Sequence, residues 1–204
     1  MLREPEQGQS DRREQILQAA SDLMRQGGPT AASVRAVAAK AGIGASTLRH
    51  YFPTQQALSD AVYRHRFHLQ VDDRGIADTA RPAAERLTEC LQQFMPSGPD
   101  EMPVLRAWVA MYHTAVNVDT GLESPLRVLT RESDARIERW LQTLRDQGTP
   151  VPSGPDSVAR LTSTIDGVCL GILNPGSPID LEQANRLLRI EVDALLAAGS
   201  AGAG

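Results

Sequence analysis

Ten side chains between Ser33 and Thr54 are of types that can grip a nucleic acid: Ser33, Arg35, Lys40, Ala45, Ser46, Thr47, Arg49, His50, Tyr51 and Thr54. Hydroxyl, guanidinium, ammonium and imidazole groups donate to phosphate oxygens or to base edges. Ala45 and Ser46 are small enough to let a helix N-terminus come close to them. For this chemistry the residues must share one outward face, so the apolar residues between them must all turn inward.

The spacing meets that condition. Val34, Val37, Ala38 and Ala41 fall on one helical face, with Arg35, Ala36, Ala39 and Lys40 on the other. Ser33 stands at the N-cap position, and Gly42 follows the last periodic residue, where the chain leaves the helix with positive φ. Ile43 covers the turn. A second short helix from Ala45 to about Phe52 turns Leu48 and Phe52 inward, four residues apart. Helix, glycine turn and helix at this spacing form a helix-turn-helix, whose second helix enters the DNA major groove. A helix corner that only packs would show the same bare pattern, but it would not need the outward donors.

From about Arg13 to Val62 the chain resembles the DNA-binding domain of tetracycline-repressor-type (TetR) regulators. The matching residues are Val37-Ala38, Ala41-Gly42-Ile43, Thr47-Leu48, Tyr51-Phe52, Leu58 and Ala61-Val62. Three positions depart from the family's habit. Gly44 stands where Ser or Thr usually caps the second helix, Arg49 stands where Tyr is usual, and Gln55 stands where Lys is usual. The resemblance implies a homodimer paired through its last two long helices, with a small effector in each body whose occupancy moves the fourth helix and the head. It does not imply which effector.

Charge is distributed in keeping with this. Residues 1–66 hold nine Lys/Arg against six Asp/Glu, and the remainder holds twelve against nineteen, within a net charge of −4. A basic head on an acidic body suits a DNA-binding domain joined to a part that does not touch DNA. Two cysteines, Cys90 and Cys169, form no disulfide framework or metal motif and fit buried core thiols. No apolar leader opens the chain, and its longest apolar run, Val168–Leu173, is too short to span a bilayer. The expectation is a cytoplasmic protein without membrane contact.

The chain reads as all-α: an N-terminal three-helix helix-turn-helix head joined to a C-terminal helical ligand-binding and dimerisation body. The expected division is a disordered arm at 1–9, with Arg3 available to phosphate, then the head at 10–55, the body at 56–198 and a loose tail at 199–204. The first helix runs from about Ser10 to Gln26, with Ile16, Leu17, Ala20, Leu23 and Met24 buried. Thr54 caps a fourth helix, on which Leu58, Val62 and Leu69 keep period to about Asp73. His65 and His68 lie three apart on it without a third ligand in register, which fits solvated or hinge residues better than a metal site. In the body, helices are expected from Arg81-Pro82, over Met102–Val118, from Ser124-Pro125 to Gly148, over Asp156–Leu173, and from Asp180 onward, where Asp180 and Gln183 form a capping-box-like start.

No nucleophile elbow, paired carboxylates, metal cluster or nucleotide-binding loop stands in the sequence, so neither catalytic residues nor a cofactor are expected. Asp166, inside an apolar helix, fits a hydrogen-bonded interface residue. Trp108, Met111, Tyr112 and Met95 either line a cavity or fill the core; with the resemblance, a cavity is expected from Phe67, Leu91, Met95, Trp108, Met111, Tyr112, Ala115 and Trp140. Met102–Val118 has no acid, so the expected effector is neutral or weakly anionic and largely hydrophobic, oriented by Tyr112, His113 or Thr114. Gly167 and Gly171, one turn apart, offer close approach to a partner helix. The expected dimer contact is Leu161, Ile165, Val168, Gly171, Leu188, Val192 and Leu195. The resulting expectation is a ligand-released transcriptional regulator, most simply a repressor, on a near-palindromic duplex operator. The alternative is a helical interaction module whose head docks on a protein.

Overall fold

Glu4–Gly27 forms α1, and its residues Ile16, Leu17, Ala20 and Met24 are buried against the two short helices that follow. The computed structural model describes residues 4–117 and 124–202. The helix starts about six residues earlier than its apolar stripe suggests, so 4–9 belong to α1 and not to an unstructured arm. Pro5 is tolerated there because the first-turn N–H groups have no intrahelical partner. Arg3 lies outside the described residues.

A 3-10 turn at Pro29–Ala31 leads to α2 (Val34–Lys40), α3 (Ala45–Tyr51) and α4 (Gln55–Gln70). Leu58, Ala61 and Val62 of α4 complete one core with Ile16, Leu17, Val37, Leu48 and Phe52. The chain divides into two units, Met1–Leu69 with Asp119–Leu129, and Gln70–Val118 with Thr130–Gly204. The fourth helix therefore belongs mainly with the head and not with the body, because its apolar face is what closes the head's core. Leu69 is 69% exposed and the helix ends at Gln70, so the apolar period beyond Val62 does not continue as expected.

The second unit is built from α5 (Ala83–Gln92), α6 (Met102–Asn117), the greater part of α7 (Pro125–Asp146), α8 (Pro155–Leu173) and α9 (Leu181–Gly202). Its core gathers Leu87, Leu91, Ile137, Trp140, Leu141, Leu144, Leu161, Leu188, Val192 and Leu195. Ser124 caps α7 with its Oγ accepting from the Leu126 N–H at 3.2 Å, and Asp180 caps α9 by accepting from the Gln183 N–H at 2.8 Å. Gly148, with φ of +84°, lets the chain leave α7. Helix α6 is the exception in this unit. Only Leu105 on it is buried, and Val104 and Val116 are open. Helix α9 continues to Gly202, so residues 199–202 of the expected loose tail are helical. A Cβ on Gly199 would stand 2.0 Å from the Pro150 carbonyl oxygen, and only glycine permits that close approach. Val118 and residues 203–204 lie outside the described residues. No strand occurs among the described residues.

Candidate nucleic-acid interface and ligand site

The turn between α2 and α3 is set by backbone chemistry. Ser33 Oγ accepts from the Ala36 N–H at 3.3 Å, and Gly42 takes φ of +65°. The Ile43 N–H then donates back to the Ala38 carbonyl at 3.0 Å. Gly44 supplies no side-chain cap to α3, as its departure from the family pattern implies. That leaves the first N–H groups of α3 without a side-chain acceptor, in the place where a helix N-terminus attracts anions.

Leu48 and Phe52 anchor α3 in the head's core, and the remaining residues of the helix except Tyr51 face outward. Ala45, Ser46, Thr47, Arg49 and His50 are exposed, as are Ser33, Arg35 and Lys40. Tyr51 is half-buried against the core, with the His50 ring edge-on at 5.5 Å, so it presents its rim and not its whole ring. Thr54 is exposed, but its Oγ1 accepts from the Ala57 N–H at 3.0 Å as the cap of α4. Gln55, which stands in place of the usual Lys, turns inward instead. Its Oε1 accepts from the Val34 N–H at 3.0 Å and its Nε2 donates to the Ala32 carbonyl at 2.9 Å. It pins the start of α2 from the start of α4. Sequence reasoning noted the substitution, but the pairing depends on tertiary placement. His65 meets Glu14 of α1 at 3.3 Å, and His68 is exposed with Phe67 edge-on.

In the second unit, the residues expected around an effector separate into two groups. Leu91, Met95 and Trp140 are buried. Trp140 lies 5.8 Å from the Phe94 ring and donates its Nε1–H to Asp73 Oδ1 at 2.8 Å. These are core positions. Phe67 is buried too, but belongs to the first unit, and Ala115 is exposed. Trp108, Met111 and Tyr112 remain half-buried on α6. The Trp108 and Tyr112 rings meet edge-to-face at 4.7 Å.

Tyr112 also resolves the oddity of Asp166. Its hydroxyl donates to Asp166 Oδ2 at 3.2 Å, from α6 to α8. Burial raises the Asp166 carboxyl above its ordinary value. The Tyr112 bond offsets part of this, and the negative charge of Asp134 on α7 adds to it. Asp134 is itself raised by burial, and Tyr112 is pushed up to about 12 by burial and by Asp166. One half-buried acid, Asp166, thus stands beside the aromatic pair, and the charge of a second, Asp134, reaches it. Asp134 lies on a charged surface stretch of α7 that sequence reading passed over. Cys169, close by, is pushed up to about 11 by burial and is an unreactive core thiol.

The residues expected at a dimer contact are corrected. Leu161, Ile165, Val168, Leu188, Val192 and Leu195 are buried inside one protomer, where α8 and α9 pack on each other. Apolar period marks a buried stripe without saying which helix covers it. Gly171 admits the chain's own Ile179, whose Cδ1 would lie 2.7 Å from an added Cβ; nothing lies within 4 Å of one on Gly167. The face left open carries Ala159, Ser163, Gly167 and Leu170 on α8 and Ile190 on α9. A groove on the same two helices is bordered by Asp156, Arg160 and Glu191, with Arg160 and Glu191 paired at 2.8 Å.

Residues 16–62 match the family model for bacterial regulatory proteins of the tetR family, and residues 83–197 match that of the BetI-type transcriptional repressor, C-terminal. The HTH-type transcriptional regulator BetI of Burkholderia mallei (strain NCTC 10229) is 26% identical over 192 residues, covering 91% of this chain and 94% of that protein. Among solved structures, a TetR-family regulator from Rhodococcus sp. superposes with a TM-score of 0.63 at 23% identity, over 92% of this chain and 99% of its own. A transcriptional regulator from Saccharomonospora viridis, solved in complex with choline, gives 0.54 at 18% identity, over 90% and 96%.

Proposed function

Because the chain belongs to the TetR family of transcriptional regulators, we propose that it is a cytoplasmic repressor that binds a near-palindromic operator as a homodimer and leaves it when a small organic cation occupies the second unit. One observation carries the DNA reading. Helix α3 is anchored by two inward side chains, and the hydroxyls of Ser46 and Thr47, the Arg49 guanidinium and the His50 imidazole are exposed on one face. The open face of α8 and α9, with Gly167, Leu170 and Ile190, supports pairing of two protomers, which would present two such helices to two half-sites.

The expectation of a neutral effector rests on the lack of acids on the sixth helix. Asp166, brought by α8, supplies a carboxylate bonded to Tyr112 beside Trp108, and the charge of Asp134 on α7 reaches that carboxylate. That favours a positively charged ligand with an apolar body, held by charge and by ring faces. Such a ligand releases DNA only if it binds the DNA-incompetent state more tightly. The test is fluorescence anisotropy on a duplex selected from a random library, with salt and choline titrations. Affinity should fall steeply with salt, as counterion release requires, and fall again with choline. Absence of duplex binding would sink the DNA reading. DNA binding indifferent to choline and to proflavin would sink the cation reading alone.

A further inference from the structure

Between α4 and α5 the chain runs through Val71–Pro82 without a regular helix, yet it is held at almost every step. From the C-cap of α5, Gln93 brackets Asp72, its Oε1 accepting the Asp72 N–H at 3.0 Å and its Nε2 donating to the Asp72 carbonyl at 2.9 Å. Cys90 Sγ donates to the Asp73 carbonyl at 3.4 Å, and buried Arg86 donates to the Ile76 carbonyl. All three grip backbone. The grip from α7 differs, because two of its donors converge on one side-chain atom. Arg136 Nη1 and Trp140 Nε1 each donate to Asp73 Oδ1 at 2.8 Å. Both donor side chains are almost wholly buried, and Arg74, next in the chain, holds the left-handed φ of +42° that strains a non-glycine residue. An over-determined, strained joint of this kind directly follows the helix that completes the head's core.

The same α7 carries Asp134. Two residues along a helix is a rotation of about 200°, so Asp134 and Arg136 leave α7 on nearly opposite sides. The charge of Asp134 is felt by Asp166 on α8, and Arg136 reaches Asp73. A displacement of α7 by a ligand at one side is therefore delivered to the Asp73 carboxylate at the other, while the bonds from α5 hold the adjacent backbone as a pivot. We propose that Asp73 is the positioning residue through which effector occupancy is passed from α7 to the segment that leads back to α4 and the DNA-binding unit. This rests on the effector reading above. Burial alone would raise the Asp73 carboxyl, and the bonds from Trp140 and Arg136 more than reverse that, so it is held below its ordinary value and stays an ionised acceptor at neutral pH.

The experiment compares wild type, Asp73→Ala, Asp73→Asn and Trp140→Phe, full-length, with choline and proflavin as probes. Calorimetry gives probe affinity, and anisotropy gives operator affinity with and without probe. In wild type that operator ratio should be about fivefold or more. Asp73→Ala should keep probe affinity and probe-free operator affinity within about twofold, while the ratio falls to about one. Asp73→Asn keeps the oxygen that both donors use and should retain most of the ratio; Trp140→Phe loses one donor and should lie between. A merely structural role would instead lower thermal stability and both affinities together. If Asp73→Ala does not fold, Trp140→Phe carries the test. A ratio unchanged in whichever of these folds, or abolished equally in Asp73→Asn, overturns the proposal. Failure of wild type to bind either probe is a failure of the cation reading, and this inference falls with it.

Discussion

The outer face of α3 and the outer face of the α8–α9 pair make a useful contrast. On α3 the residues that sequence spacing turned outward are the exposed ones except Tyr51, which packs half-buried against the core, and Leu48 and Phe52, turned inward, are exposed at 0% and 3%. On α8 and α9 the stripe assigned to a partner is buried within the protomer, and the surface left open is the weaker, small-residue side with Leu170 and Ile190. The difference is chemical. A short helix with polar donors on one side and two large apolar residues on the other has only one way to face water. Two long apolar helices offer two ways to be covered, and period alone does not choose between them.

The largest expected effect falls on the side where the contrast is sharpest. Leu48→Ala, in the head's core, should cost about 2–5 kcal/mol by urea denaturation and abolish operator binding through unfolding of the head. A stable variant would mean α3 is not anchored as described. On the other side, Ile190→Glu should weaken the dimer by about 3 kcal/mol by placing an unpaired charge in the contact, seen as monomers in sedimentation with an unchanged helical spectrum. Gly171→Glu is a poorer probe of assembly. Its side chain must displace Ile179, so it should disturb folding first. A fully dimeric Ile190→Glu protein would move the interface off α8 and α9.

Within the DNA face, Arg49→Ala should cost about 1–3 kcal/mol of operator affinity, spread evenly over sequences if the contact is to phosphate, whereas Arg35→Ala should relax preference at one position of each half-site. Identical behaviour of both variants and wild type in a selection on random duplexes would erase the distinction. The smallest effect belongs to the ligand site. Asp166→Asn should weaken choline binding about tenfold, on the order of 1.4 kcal/mol. It should also make the protein slightly more stable at neutral pH. The sign follows from the raised Asp166 carboxyl. Between the unfolded and folded values the folded chain holds the extra proton, so stability falls as pH rises through that window and the full penalty remains above it. Asparagine removes the penalty, and choline affinity in wild type should drop as pH falls through the same window. Thermal scans across acidic to neutral pH, with calorimetry beside them, decide both.

The sequence alone was enough to determine the all-α class, the helix-turn-helix with its Ser33 cap and its Gly42 turn, the Ser124 and Asp180 caps, and the exposed donors of α3. Each depends on neighbours within a few residues, where backbone geometry and helical period leave little choice. Tertiary structure decided where α4 belongs, because its apolar face could have closed either unit. It turned Gln55 onto Ala32 and Val34, and set Tyr112 against Asp166 and Asp73 against Arg136 and Trp140. Those partners lie between about twenty and seventy positions apart, and no local rule pairs a carboxylate with donors at that distance. Only the packing of helices around a shared core brings them within hydrogen-bond reach.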